Sequence, residues 1–386
     1  MEQPSPHLYR QQGRGLGLPE DVLNAAISRT TQIENTGAGS ILSLRHLAHL
    51  TGAPYLYLRE IVQRSRDPYQ TLTRPKRTGG SREISAPEPM LMDVQRFILR
   101  RALRNLPHHP ASYAYRRGLS ILDCATQHLG ARWMIKLDLH DFFGSINERD
   151  AYQVFLERSY SPLVSLELAR LCTRSRTADY WGKANRRYQA IPSYNVNVMG
   201  CLPQGGPTSG ALANAVTTPL DHALHEAAMT GGLAFTRYSD DLVLSSESAF
   251  DRARAKRIIR DVTQIVQAHH FHLHDKKTRL IPPGTRHIVL GLLVADRVRL
   301  LPEYRRRIEV HVNGVTKFGL AGHAEHRGFR SVLSFISHVE GSLSFAKSIE
   351  PDWAHRTEDK WIAALRANQY PIHGSAPGLV DTRGLQ

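Results

Sequence analysis

Apolar residues recur along this chain in short, changing rhythms that predict a mixed α+β protein. Pro19-Glu20-Asp21 reads as the first turn of a helix running toward Ile33, while residues 1–19, rich in Pro, Gly and Gln, are expected to form a mobile arm. After a Gly-Ala-Gly linker, Ser40 is placed to cap a helix with Leu42, Leu44, Leu47 and Leu50 as its apolar positions. Thr51-Gly52-Ala53-Pro54 then breaks the pattern before a second amphipathic run. The two helices fit a packing unit better than a DNA-reading helix-turn-helix. From Lys76 to Pro87 a Gly-Gly turn between polar flanks predicts a hairpin carrying Lys76, Arg77 and Arg82. A helix follows over 89–106, with Leu91, Val94, Ile98 and Ala102 inward and Arg96, Arg100 and Arg104 in a basic stripe.

Met134 to Leu139 alternates as a strand and delivers Asp138 at its end, after which Phe142, Phe143 and Ile146 open a helical pattern. Residues 160–200 read as a helix followed by an irregular surface insertion. Leu202 to Pro207 is a loop bounded by Pro and Gly, and the small residues from Thr208 through Leu224 predict one buried helix. Strands around 235–238 and 242–245 flank Ser239-Asp240-Asp241, a hairpin with acids at its tip. Two further short strands are expected within HIVLGLLVADRVRLL, and helices near 327–349 and 357–367.

Composition narrows the partners. The chain has 386 residues, with 50 Lys plus Arg against 35 Asp plus Glu, a formal charge of +15. A polyanion, nucleic acid above all, is the natural partner for such a balance. Cys124, Cys172 and Cys201 are too few and scattered for a disulfide framework or a zinc set, which fits a reducing cytosol. The opening residues lack the apolar core of a signal peptide, and no stretch reaches the roughly 18 apolar residues of a membrane span; a cytoplasmic protein is expected.

The chemistry lies in a joint pattern. A strand-end acid, a paired acid in a turn, a Gln-Gly loop between them and a basic chain together describe a site that holds divalent cations against phosphates. His270, His272 and His274 alternate and would share a strand face, but no Cys or HExxH partner accompanies them.

At these motifs the chain resembles a bacterial retron-type reverse transcriptase, from about Ser40 to Phe345. RTGGSREISAP resembles that family's fingers hairpin and RRGLSILDCATQHLG the next fingers block. KLDLHDFFGSI resembles the first palm motif, LPQGGPTSGALAN the substrate-positioning loop, YSDD the catalytic hairpin and HDKKTRL the lysine-containing motif. The resemblance implies a right-hand polymerase: an N-terminal helical element over 1–75, fingers and a small antiparallel palm over 76–295, and a helical thumb with a tail over 296–386. It implies Asp138, Asp240 and Asp241 as metal-binding carboxylates for two Mg²⁺ ions, with the Leu139 carbonyl a further oxygen ligand. It makes Phe143 the aromatic that clashes with a ribose 2′-hydroxyl, Gln204 and Gly205 the loop against nucleotide and template, and Arg82 the triphosphate ligand. Lys277 would protonate the departing pyrophosphate. Arg305, Arg306 and Arg307, with Arg327 and Arg330, fall where the thumb would meet a duplex backbone.

Three departures are visible. Val289-Leu290-Gly291 stands where the family has Val-Thr-Gly, residues 150–200 lack Asn-Ala-x-x-His, and Gly210 follows Ser209 where Pro is usual. These suit a divergent, defence-associated relative. The expected activity is RNA-directed DNA synthesis from deoxynucleoside triphosphates on an associated noncoding RNA, in antiphage defence with an effector protein as a further partner. Alternatives are an RNA-dependent RNA polymerase, against which Phe143 argues, a protein-primed or template-independent polymerase of the same fold, and a catalytically silent nucleic-acid binding module.

Overall fold

The computed structural model describes residues 6–75, 81–175, 199–248 and 251–371, and the backbone but not the side chain of Arg82. The described residues open on helix α1 (Pro6–Gly15), where a mobile arm was expected from composition. Gly13 lets α1 close onto fully buried Leu23 of α2 (Glu20–Asn35), and Arg10–Asn24 (3.1 Å) and Arg14–Glu20 contacts fasten the pair. The cap of α3 (Leu44–Thr51) is Ser43, whose hydroxyl accepts from the His46 amide; Ser40 lies buried upstream instead. Gly52 in the left-handed region ends that helix and α4 (Tyr55–Val62) follows. Leu44, Leu47, Leu58 and Ile61 are all buried, so α3 and α4 act as a packing pair.

The fingers hairpin is β1 (Tyr69–Pro75) paired antiparallel with β2 (Ser81–Pro87), Arg74 standing opposite Arg82. Its tip, with Lys76, Arg77 and the Gly-Gly turn, lies outside the described residues. Helix α5 (Pro89–Arg101) has Pro at its start and buries Leu91, Val94 and Ile98, while Arg96, Arg100 and Arg104 are exposed. A short helix α6 (Ile121–Thr126) carries a Ser120–Asp123 capping box.

The palm sheet is four-stranded, in the order β6 (Ala234–Tyr238), β7 (Asp241–Ser246), β3 (Trp133–Asp138) and β8 (Arg279–Ile281). Both faces are covered, and strand alternation sorts the side chains between two cores. Ile135 and Leu137, opposite Leu244 and Leu242, enter the core shared with the fingers helices; Met134 and Val243 enter a second core shared with the thumb. Behind the first face lie α7 (Phe142–Ser145), α8 (Glu148–Glu157) and α9 (Pro162–Cys172). Glu148 of α8 bridges Arg64 (2.5 Å) and Arg170 (2.8 Å), an almost buried cluster that joins α4 and α9 to the palm. The insertion read after α9 is bracketed by the two-residue strands β4 (Arg174–Ser175) and β5 (Gly200–Cys201); its interior lies outside the described residues.

The run from Thr208 divides into α10 (Ser209–Val216) and α11 (Thr218–Thr230), because Pro219 cannot donate to a continuing helical ladder. Helix α12 (Arg252–Ala268) backs the sheet. Three short strands, β9 (His287–Val289), β10 (Leu292–Val294) and β11 (Val298–Leu300), form a separate sheet where two were expected. The thumb follows as α13 (Pro302–Phe318), α14 (Leu320–His326), α15 (Val332–Ile349) and α16 (Pro351–Ala367), and its core takes in Val289, Leu292 and Val294. Among the described residues no helix is long and apolar enough to cross a membrane.

Candidate active site

Two elements bring the three acids to one edge of the palm. Asp138 closes β3 opposite Asp241, the first residue of β7. The β6–β7 turn consists of Ser239 and Asp240 alone, between paired Tyr238 and Asp241. Ser239 adopts φ 60°, which suits a two-residue hairpin but is uncommon for a residue with a Cβ. The Leu139 amide donates to the Asp240 carbonyl (2.8 Å), tying the strand end to the turn.

What holds this turn is Arg237, a fully buried cation that sequence reasoning missed. Its Nε and Nη2 donate to both carboxylate oxygens of buried Asp221 (2.6 and 2.7 Å). The remaining three N–H groups reach Ser112 Oγ, Asn214 Oδ1 and the Ser239 carbonyl (2.9, 3.2 and 3.1 Å). Every guanidinium donor is therefore used, which is what makes a desolvated charge tolerable here. The signal was the strand phase: Arg237 shares the inward face of β6 with Phe235.

The carboxylates repel one another. Burial, then the charge of Asp138, raises the Asp240 pKa. Burial, then the charge of Asp240, pushes Asp241 up to about 6, with Lys136 acting in the opposite sense. One cation already stands in the site: Lys277 Nζ donates to both carboxylate oxygens of Asp138 (2.8 and 2.7 Å). Lys277 ends a 3₁₀ turn, Asp275–Lys277, anchored where the His274 amide donates to the Asp138 carbonyl (2.7 Å). Among the described residues no three His, Cys, Asp or Glu side chains are arranged to hold one metal ion. That includes His270, His272 and His274; the His274 ring lies tilted beside that of His140, with centroids 5.7 Å apart.

An open cavity of about 450 Å³ is lined by Leu99, Tyr115, Phe143, Gln204, Gly205 and Gly210, so three of the expected nucleotide contacts share one pocket. Phe143 is half-buried, with Phe142 and Tyr115 as ring neighbours. The Gln204 carbonyl accepts from the Ser85 amide (2.8 Å), tying the loop to β2 three residues beyond Arg82. Gly205 has φ 128°, and a Cβ there would sit 2.9 Å from both Ile84 and the Ser85 carbonyl. Only glycine fits. A shallower groove of about 490 Å³ lies at the far end of β3, near Arg132 and His287, remote from the acids.

In the thumb, Arg305 is drawn into an ion pair with Glu350 and lies over Trp353, with its centre 5.4 Å from the ring centroid. Arg306, Arg307, Arg327 and Arg330 are exposed.

A twisted sheet with acids at the edge of a two-residue hairpin, flanked by a fingers hairpin and a helical thumb, defines a right-hand polymerase. The model of the reverse transcriptase (RNA-dependent DNA polymerase) family matches residues 74–301, and the chain belongs to that family, in its bacterial retron-type branch. The retron Ec86 reverse transcriptase of Escherichia coli is 27% identical over 345 residues, covering 89% of this chain and 95% of the relative. The retron Mx65 reverse transcriptase of Myxococcus xanthus is 32% identical over 290 residues, 75% of this chain and 63% of the relative. Among solved structures, a Candida albicans telomerase with a telomeric RNA fragment aligns at TM-score 0.42 and 11% identity, over 87% of this chain and 68% of that one.

Proposed function

We propose that this reverse transcriptase copies an associated noncoding RNA into DNA with the aid of two Mg²⁺ ions, and that its biological role is antiphage defence. The observation that carries the catalytic reading is the register: Asp138 opposite Asp241, with Asp240 in the turn between strands. Hard carboxylate oxygens carrying unbalanced negative charge are the donor set magnesium takes. Asp138, Asp240 and Asp241, with the Leu139 carbonyl, would hold the ions. When bound, the ions supply activation of the primer hydroxyl and neutralisation of the departing pyrophosphate.

The remaining roles belong to the chain. Phe143 presents a ring edge to the sugar and excludes a 2′-hydroxyl, selecting deoxynucleotides. Gln204 and Gly205 form the floor on which nucleotide and template rest, and Arg82 grips the triphosphate through charge-assisted hydrogen bonds. Lys277, whose ammonium pairs with Asp138, would be the proton donor to the departing pyrophosphate. Arg306 and Arg307 meet the duplex backbone, and Arg305 braces the thumb through Glu350.

Purification of the wild type and Asp240→Asn from bacterial cells with the flanking locus, followed by sequencing of all bound RNA and DNA, tests this reading. DNA complementary to one bound RNA, present only with the wild type, is the expected result. The same RNA on both proteins with DNA on neither would overturn it in favour of a binding role.

A further inference from the structure

Tyr115 lies in none of the motifs, yet it touches both halves of the site. The segment before it runs beside β6: the Arg237 amide donates to the Ala111 carbonyl (2.7 Å) and the Tyr113 amide to the Arg237 carbonyl (2.9 Å). This delivers Tyr115 over the hairpin turn, where its hydroxyl pairs with Ser239 Oγ (3.0 Å). Its ring, half-exposed to the cavity, lies 6.1 Å from that of Phe143. Two features show that the chain is built to admit it. Tyr115 holds φ 58°, a conformation bulky L residues rarely adopt. Residue 210 is glycine, and any Cβ there would overlap the Tyr115 ring.

We propose that Tyr115 is a specificity-determining and positioning residue. Its ring braces Phe143 as the second wall of the sugar pocket, its hydroxyl fixes the turn carrying Asp240, and Gly210 exists to make room for it. The proposal rests on the reading of the cavity as the seat of a deoxynucleoside triphosphate. Its two contacts have separable consequences. The hydroxyl governs how well the acids are aimed, so its loss acts on the chemical step. The ring governs the width of the sugar pocket, so its loss acts on binding and on discrimination against the 2′-hydroxyl.

The test is single-nucleotide extension of a DNA primer on an RNA template, with kcat and KM measured for a deoxynucleotide and the matching ribonucleotide. Tyr115→Phe and Ser239→Ala should each lower kcat about 3- to 10-fold with KM little changed, the worth of one hydrogen bond. The double variant should lose no more than either single one, since both remove the same bond. Tyr115→Ala should raise the deoxynucleotide KM about 10-fold and narrow the preference over ribonucleotides. Gly210→Ala, which displaces the ring from the other side, should narrow it too, and melting temperatures identify any variant that fails to fold. Additive losses in the double variant, or equal scaling of both nucleotide types in the ring variants, would overturn the proposal while leaving the polymerase reading intact. Failure of the unaltered chain to incorporate deoxynucleotides would overturn both.

Discussion

Replacing Asp241 with Asn should make the metal-free protein more stable while abolishing DNA synthesis. Burial and the neighbouring Asp240 charge move the Asp241 pKa from 3.8 to about 6. At about 1.4 kcal/mol per unit, the ionised carboxylate costs the folded state about 3 kcal/mol at neutral pH. Asn has nearly the same shape and no charge, so the variant should gain up to that amount. The sign follows from proton binding. Between pH 4 and 6 the folded wild type holds the Asp241 proton more tightly than the unfolded chain does, so its stability falls as pH rises through that window. The gap between variant and wild type should therefore be near zero below pH 4, open through pH 6 and stay constant above it. Urea denaturation at a series of pH values, in the presence of chelator, reads this directly. Added Mg²⁺ should then stabilise the wild type and not the variant, because a ligand that binds only the folded site shifts stability by mass action. If Asp241→Asn is no more stable than wild type at pH 8, or if the gap persists in acid, the electrostatic account of the site is wrong.

Two other perturbations probe the scaffold. Arg237→Met strands buried Asp221 without its counter-charge and should cost about 3–5 kcal/mol in urea denaturation, with much of the loss recovered when Asp221→Leu is added; a cost below about 1 kcal/mol would mean the pair does not hold the turn. In the thumb, burial and the nearby His323 depress the His311 pKa to about 4 from 6.5, so stability present above pH 6.5 should drain away down to pH 4, by about 3 kcal/mol at most, in calorimetric scans. His311→Phe should flatten that acid limb.

Legibility in the sequence tracked the distance over which each feature is determined. The strand ending in Asp138 and the hairpin from Phe235 to Ser245 were legible because short, strand-like apolar runs frame each acid. Phe143, Gln204 and Gly205 came from motif order, and they meet in one cavity. Local composition misled at the N-terminus, where the helical state of Pro6–Gly15 depends on Leu23 packing over Gly13. The helices at 252–268 and 302–318 were passed over because dense Arg and Lys hide the spacing of Ala255, Val262 and Val266, and of Ile308, Val312 and Val315. Pro219, by contrast, was a readable break within the predicted 208–224 helix. Arg237 and Tyr115 were the hardest to find, since the value of each lies in partners about 100 residues or more away, Ser112 for one and Ser239 for the other.

The two-sided burial of the palm sheet bears on how this enzyme can be re-engineered. Because Met134 and Val243 belong to the same core as Ile308, Phe335 and Trp361, the thumb is no interchangeable cassette. A thumb transplanted from a relative would have to match the apolar relief of the underside of β3 and β7 as well as its own linker. The fingers meet the opposite face of the same strands, so sequence drift in either lobe is constrained by the thin sheet between them.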